Sequence, residues 1–207
     1  MGSYTNLQLR DLLDAFASTS PAPGGGSAAA LAGATGVSLL LMAIGIRLSK
    51  PADSSQSSML AMADERLRSL QAAIATFIDR DADAYSSVIA ALRLPVDPEG
   101  PRRVAWDAAL RGATEIPLDV MRACRRALRE ASAVAAHCTR STRGDVAVAI
   151  ELLNAAVRGA GRTIDANLDS LRDAEYVARV RSERQGLESE SAADAEHGLA
   201  QLAGRSG

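Results

Sequence analysis

The chain has 207 residues, a formal net charge of -2, 47% apolar residues and only 3% aromatic ones. That length can bury the core of one ordinary domain, and a core built from Ala, Leu, Val and Ile with few rings favours closely packed helices over sheets. The near-neutral charge gives no electrostatic footprint for nucleic acid despite basic pairs such as Arg125-Arg126, and Cys124, Cys138, His137 and His197 lack short ligand spacing, which predicts no metal site and thiols suited to a reducing cytoplasm.

Leu9, Leu12, Leu13 and Phe16 recur at helical spacing and predict a first short helix over about Thr5 to Ser18, broken by Ser20-Pro-Ala-Pro-Gly-Gly-Gly. From Ala28 to Ile46 no residue is charged. Such a stretch is long enough to cross a membrane. Gly33, Thr35, Gly36, Ser38 and Gly45 dilute it, Asp11 and Asp14 precede it, and no basic leader stands before it, so it reads as a buried central helix or a subunit interface, not a span.

Pro51 and the Ser-rich stretch to Ser58 make the next break, and a helical pattern then runs to Leu94, where "LPVDPEGP" interrupts it. Another helix is expected from about Arg102 to Cys138, kinked where Pro117 removes a backbone donor. After "TRSTRGD", one helix covers Val146 to about Ile164 and a polar one starts near Ser170. The expected fold is all-α, a helical bundle around a central small-residue-rich helix. Residues 1–185 form the domain, and 186–207 a polar C-terminal helix or disordered tail.

Gly24, Gly26 and Ala29 fit a G-x-G-x-x-A fingerprint with Asp53 at a tempting distance, but a dinucleotide site needs a strand just before it, and Ser-Pro-Ala-Pro is not one. Two readings of the glycines remain: a loop whose backbone N–H groups hold a carboxylate or carbonyl oxygen at a helix N-terminus, or a turn needing positive φ and tight packing. In "FIDRDADAY", Leu67, Leu70, Ile74, Ile78, Asp81, Tyr85, Val88 and Leu92 line one helical face and put Asp81 inside an apolar stripe. A carboxylate there is either a general acid/base with raised pKa or a buried partner of an arginine from another helix. Asp79 and Asp83 repel across one turn, with Arg80 compensating only in part, so helix stability does not explain the cluster. Asp145 reads as an N-cap beside Arg140 and Arg143, while Thr163, Asp165 and Asn167 read as helix-end capping residues.

In order, "PAPGGGSAAALAGATG", "DADAY" followed by "ALRLP", "ATEIPLDV", "GDVAVAIELLNAAVRGAG" and "NLDSLRD" resemble the cyclodeaminase/cyclohydrolase family over about Leu7 to Arg179, the P-x-P-G-G-G-S block being the most specific part. The resemblance implies a helical, usually dimeric enzyme that takes a tetrahydrofolate derivative as substrate, without metal or tightly bound cofactor. Such enzymes act on the one-carbon bridge between N5 and N10, where a nearby carboxylate can stabilise an amidinium and move protons.

Carried over by position, Asp81, Asp83 and Lys50 are the catalytic candidates, and Gly24, Gly25, Gly26, Ser27, Arg143, Asp145 and Asn167 the substrate-binding ones. The resemblance implies Asp81 as the general acid/base candidate, Lys50 as the residue to meet an anionic glutamate tail or polarise an oxygen, and Asp145 as one to hydrogen-bond the pterin or its reacting end. The chain departs from the family pattern at Gly45, Arg47, Lys50-Pro51-Ala52, Gly144, Thr163 and Asp165, the last reversing a charge where the family often has Arg. The implied protein is a cytoplasmic homodimeric methenyltetrahydrofolate cyclohydrolase binding neither nucleic acid nor membrane. Cyclodeaminase activity comes second because no formiminotransferase domain precedes the chain. The departures also leave room for a diverged enzyme acting on a non-folate cyclic amidine or imine, or for an inactive helical binding subunit.

Overall fold

In the computed structural model, which describes residues 3–51, 53–95 and 100–204, the elements are α1 Leu9–Ala17, α2 Gly25–Leu48, α3 Ser54–Leu92, α4 Pro101–His137, α5 Arg143–Leu168 and α6 Ala174–Ala203. Short 3-10 turns sit at Tyr4–Asn6 and Arg140–Thr142, and no strand occurs among the described residues. The fold is therefore the all-α bundle expected; the small-residue helix α2 packs on α3, α4 and α5 but keeps Ala28, Thr35 and Met42 on an exposed face, so the uncharged run is buried on one side and not all round.

Ala30, Val37, Leu40, Ala43 and Ile44 of α2 are fully buried. The glycines explain how close the neighbours come. A Cβ on Gly33 would lie 2.6 Å from Cys124 Sγ, and one on Gly36 would lie 2.9 Å from both the Ala149 carbonyl oxygen and Leu153 Cγ. Length and a mean hydropathy of 2.0 would let α2 cross a membrane, but the same composition serves helix-to-helix contact inside this bundle.

Side-chain contacts fix the directions. Ser27 reaches Ile78 and Asp81 whereas Ser38 meets Gln71, so α2 and α3 run antiparallel. Gly25 faces Thr163 whereas Gly36 faces Ala149, so α2 and α5 also run antiparallel. The start of α2, the later half of α3 and the end of α5 consequently meet at one end of the bundle.

Several boundaries differ from expectation for local reasons. The first helix is split into the 3-10 turn and α1, whose Leu12 is buried while Leu9 and Leu13 stay exposed. α3 absorbs most of the Ser-rich stretch from Ser54 onward, with Asp53 at its N-cap position. α4 runs through Pro117; the missing N–H leaves the Ala113 carbonyl without its helical partner, and Asn167 Nδ2 donates to that carbonyl at 3.0 Å. α5 starts at Arg143 with Thr142 at the N-cap, so Asp145 is not the cap expected but a first-turn acid beside the positive helix end. α6 continues to Ala203 and turns Val180, Arg184, Ser191, Ala195, Gly198 and Leu202 inward. Residues 96–99 of the "LPVDPEGP" break lie outside the described residues.

Gly36→Ala is expected to cost about 1–3 kcal/mol of stability, read as a lower urea midpoint at constant m, because backbone oxygen blocks the new methyl. Gly112→Ala, on an α4 position with open space around it, is expected to leave stability unchanged or raise it by up to about 1 kcal/mol.

Candidate active site

A cavity of about 520 Å³ opens where those three helix ends meet. Pro21 and Gly24–Gly26 form one wall, Asp81 and Tyr85 of α3 a second, Ala113 of α4 a third, and Gly159, Arg162, Thr163, Ala166 and Asn167 of α5 the last. Gly159, Arg162, Thr163, Ala166 and Asn167 step by three and four and so share a helical face.

Asp81 organises the floor. Its Oδ2 accepts the Ser27 backbone N–H at 2.8 Å and lies 2.9 Å from the Ser27 hydroxyl, which is also 2.9 Å from the Ile78 carbonyl oxygen. Gly24, the N-cap residue of α2, has no side chain to offer, so a carboxylate from a neighbouring helix satisfies one of the orphan N–H groups of the first turn, that of Ser27. No described glycine has positive φ. Gly26 is required for room instead, since a Cβ there would fall 2.0 Å from Asp81 Oδ1 and 2.5 Å from its Cγ. Gly25, 3.5 Å from Thr163 Oγ1 by the same construction, carries no such constraint. An arginine-satisfied Asp81 is not what the fold builds; its partners are the two donors of Ser27. Burial pushes the carboxyl above 3.8, and the Ser27 hydroxyl and N–H offset that only in part.

The neighbouring carboxylates do other work. Asp79 accepts from the Ser3 and Thr5 hydroxyls and the Tyr4 N–H, tying the N-terminal segment to α3. Burial opposes its charge, but these donors outweigh burial and hold its carboxyl below 3.8. Asp83 is exposed and does not line the cavity; two positions along a helix turn it about 200° away from Asp81.

The fold thus brings together Gly24, Gly25, Gly26, Asp81 and Asn167, with Ser27 directly behind. It does not bring in Lys50, Arg143 or Asp145. Lys50 follows the far end of α2, about 36 Å along the helix, and Arg143 and Asp145 lie in the first turn of α5, whose last turns line the cavity. Asn167 commits its nitrogen to the Ala113 carbonyl, leaving the oxygen end of the amide for a ligand. Thr163 lines the cavity and does not cap. Asp165 points away from it, with Oδ2 3.0 Å from the buried Arg184, which absorbs the reversed charge. Arg162, Tyr85, Gly159 and Ala113 are site residues that sequence reasoning does not single out. A shared face along α5 is the available signal for Arg162 and Gly159, but only the antiparallel packing on α2 turns that face toward the glycines. Among the described residues no group of three His, Cys, Asp or Glu side chains is placed to hold a metal ion.

A partly desolvated carboxylate, one oxygen held by Ser27, in the lining of a glycine-walled cavity defines a site suited to acid/base chemistry on a small organic molecule. The chain belongs to the formiminotransferase-cyclodeaminase family, whose sequence signature matches residues 8–186. A methenyltetrahydrofolate cyclohydrolase of Methylorubrum extorquens is 31% identical over 91% of this chain and 92% of its own length. The formimidoyltransferase-cyclodeaminase of Dictyostelium discoideum is 28% identical over 86% of the chain and 33% of its own length, and that of Gallus gallus 30% identical over 76% and 30%. The chain therefore spans about a third of the length of these two larger relatives. The crystal structure of a formiminotetrahydrofolate cyclodeaminase from Thermotoga maritima superposes with a TM-score of 0.88 at 20% identity, covering 96% of this chain and 97% of that one, which establishes the fold.

The raised carboxyl of Asp81 has a signature in stability. Between 3.8 and its folded value the folded state binds more protons than the unfolded one, so this contribution is complete below 3.8 and is lost as pH rises through the folded pKa. In thermal unfolding, the Tm difference between Asp81→Asn and wild type is expected to move in favour of the variant as pH rises across that window.

Proposed function

We propose that the protein hydrolyses the methenyl bridge of 5,10-methenyltetrahydrofolate to a formyl group, with Asp81 as general acid/base. The observation that carries this reading is the partly desolvated Asp81 carboxylate on the cavity floor, and the near full-length similarity to a methenyltetrahydrofolate cyclohydrolase supports it. The bridge carbon sits between two nitrogens and carries positive charge. Asp81 stabilises that cation and takes a proton from the water that adds to the carbon. The carbon–nitrogen bond then breaks as the departing nitrogen receives a proton. Of the two protons of water, one ends on that nitrogen and the other leaves to solvent. Asn167 supplies an acceptor for a pterin N–H, and Gly24–Gly26 let the ring lie close to the backbone. No cofactor enters these steps. A formimidoyl substrate, the choice favoured by the larger relatives' names, would use the same carboxylate to expel ammonia.

Asp81→Asn is expected to lower kcat by about 10²–10⁴ in a protein that still folds, and Gly26→Ala to do the same by displacing the carboxylate. In wild type kcat/KM should fall as pH drops through the Asp81 pKa, above 3.8, and this limb should vanish in Asp81→Asn. Loss of the near-ultraviolet absorbance of the methenyl compound measures the hydrolysis, and ammonia release from 5-formimidoyltetrahydrofolate measures the cyclodeaminase reaction. Full activity in Asp81→Asn would overturn the assignment.

The working unit proposed is a homodimer in the cytoplasm. Ala28, Thr35 and Met42 recur every seven residues on the exposed face of α2, flanked by half-buried Leu31 and Leu39, an unusually apolar surface to leave in water. An antiparallel crossing of two copies at Thr35 would set position 20 of one against position 50 of the other. That would bring Lys50 of the partner subunit toward Pro21 at the cavity wall. The buried thiols of Cys124 and Cys138 suit a reducing compartment. Light scattering is expected to give twice the chain mass for wild type and one chain mass for Thr35→Arg; a wild-type monomer would contradict the dimer.

A further inference from the structure

We propose that Arg162 reads the anionic end of the substrate and so fixes which way round it enters; this rests on the folate reading above. Among the described residues, Asp81 and Arg162 are the two formally charged side chains that line the cavity. They are set at different depths. Asp81 is held on the floor by Ser27, whereas the side chain of Arg162 is 69% exposed and stands at the rim.

The surroundings of Arg162 leave its donors uncommitted. Its nearest carboxylate is Asp165, one turn on along α5, at 3.8 Å, which is beyond hydrogen-bond distance. Asp165 Oδ2 is engaged more closely by Arg184 at 3.0 Å, and Arg184, 9% exposed, is itself paired with Glu188 at 3.0 Å. Asp165 therefore neighbours Arg162 without binding it closely, its charge being answered by Arg184. The guanidinium keeps a planar fork of donors for a carboxylate arriving from solvent.

The substrate has matching polarity. The methenyl bridge is a cation and the glutamyl end carries two carboxylates, so the bridge belongs against Asp81 and the tail against Arg162. The reverse orientation would set carboxylates against Asp81. This assignment also explains the departure at position 165. Where the family resemblance leads one to expect a cation, the chain has Asp165, but it carries a cation three residues earlier, on the face that lines the cavity. Lys50 of the same subunit, matched to the tail by position in the sequence, is at the other end of α2.

The test compares KM and kcat of wild type, Arg162→Ala and Arg162→Lys on 5,10-methenyltetrahydrofolate and on its glutamate dimethyl ester, at low and high salt. For the diacid, Arg162→Ala is expected to raise KM about ten-fold with kcat held within about two-fold, and Arg162→Lys to recover part of the loss. The salt dependence of wild-type KM should largely disappear in Arg162→Ala. The ester should show neither the KM rise nor the salt dependence. An unchanged KM for the diacid, or an equal rise on both substrates, would overturn the proposal. If wild type does not turn over the methenyl compound at all, the hydrolase reading fails separately, and equilibrium binding of 5-formyltetrahydrofolate decides Arg162: about ten-fold weaker binding to Arg162→Ala sustains it, and equal binding overturns it.

Discussion

The carboxylate of Asp81 caps a helix that is not its own. α2 begins on three glycines and offers no side chain for its first-turn N–H groups, so Asp81 of α3 enters the space that a Cβ on Gly26 would occupy and accepts from Ser27. One contact therefore satisfies a first-turn N–H of α2, fixes the register of α2 on α3, and stations a partly desolvated acid beside a cavity. Helix capping favours the charged carboxylate and burial opposes it. Burial prevails, and the group is left able to exchange a proton under milder conditions than an exposed aspartate.

The rest of the bundle keeps that contact in place. Gly33 and Gly36 let α4 and α5 approach α2 closely enough that the end of α5 closes the cavity opposite the glycines. Pro117 contributes through what it lacks. Its missing N–H frees the Ala113 carbonyl, which holds the Asn167 amide in one orientation. The buried Arg184, between Asp165 and Glu188, anchors α6 against this same end of α5. Backbone features that weaken isolated helices, glycine and proline, here serve inter-helix geometry.

Much of this is legible in the sequence because it rests on local pattern. The low aromatic content and three-to-four spacing mark an all-α protein, the uncharged run marks α2, and Asp81 stands out as a charge inside an apolar stripe. Three things are not legible. The purpose of the glycines is steric, and the group they make room for lies more than fifty residues away in the chain. The separation of Arg143 and Asp145 from the cavity follows from α2 and α5 running antiparallel, which residue types along a sequence do not encode, whereas that of Lys50 follows from the length of α2. Asp79 and Asp83 look like partners of Asp81, yet Asp79 is spent on the N-terminal segment and Asp83 faces solvent, a division that depends on which helix faces acquire neighbours.

The central claim is that Asp81 is a proton-exchanging group held at the N-terminus of α2, and a direct titration of that carboxyl tests it. The ¹³C resonance of the Asp81 carboxyl carbon, assigned by its absence in Asp81→Asn, would be followed against pH in wild type and in Ser27→Ala. The structure predicts a wild-type midpoint above 3.8, moving further up when the Ser27 hydroxyl is removed. A wild-type midpoint at or below 3.8, or one indifferent to Ser27, would contradict it.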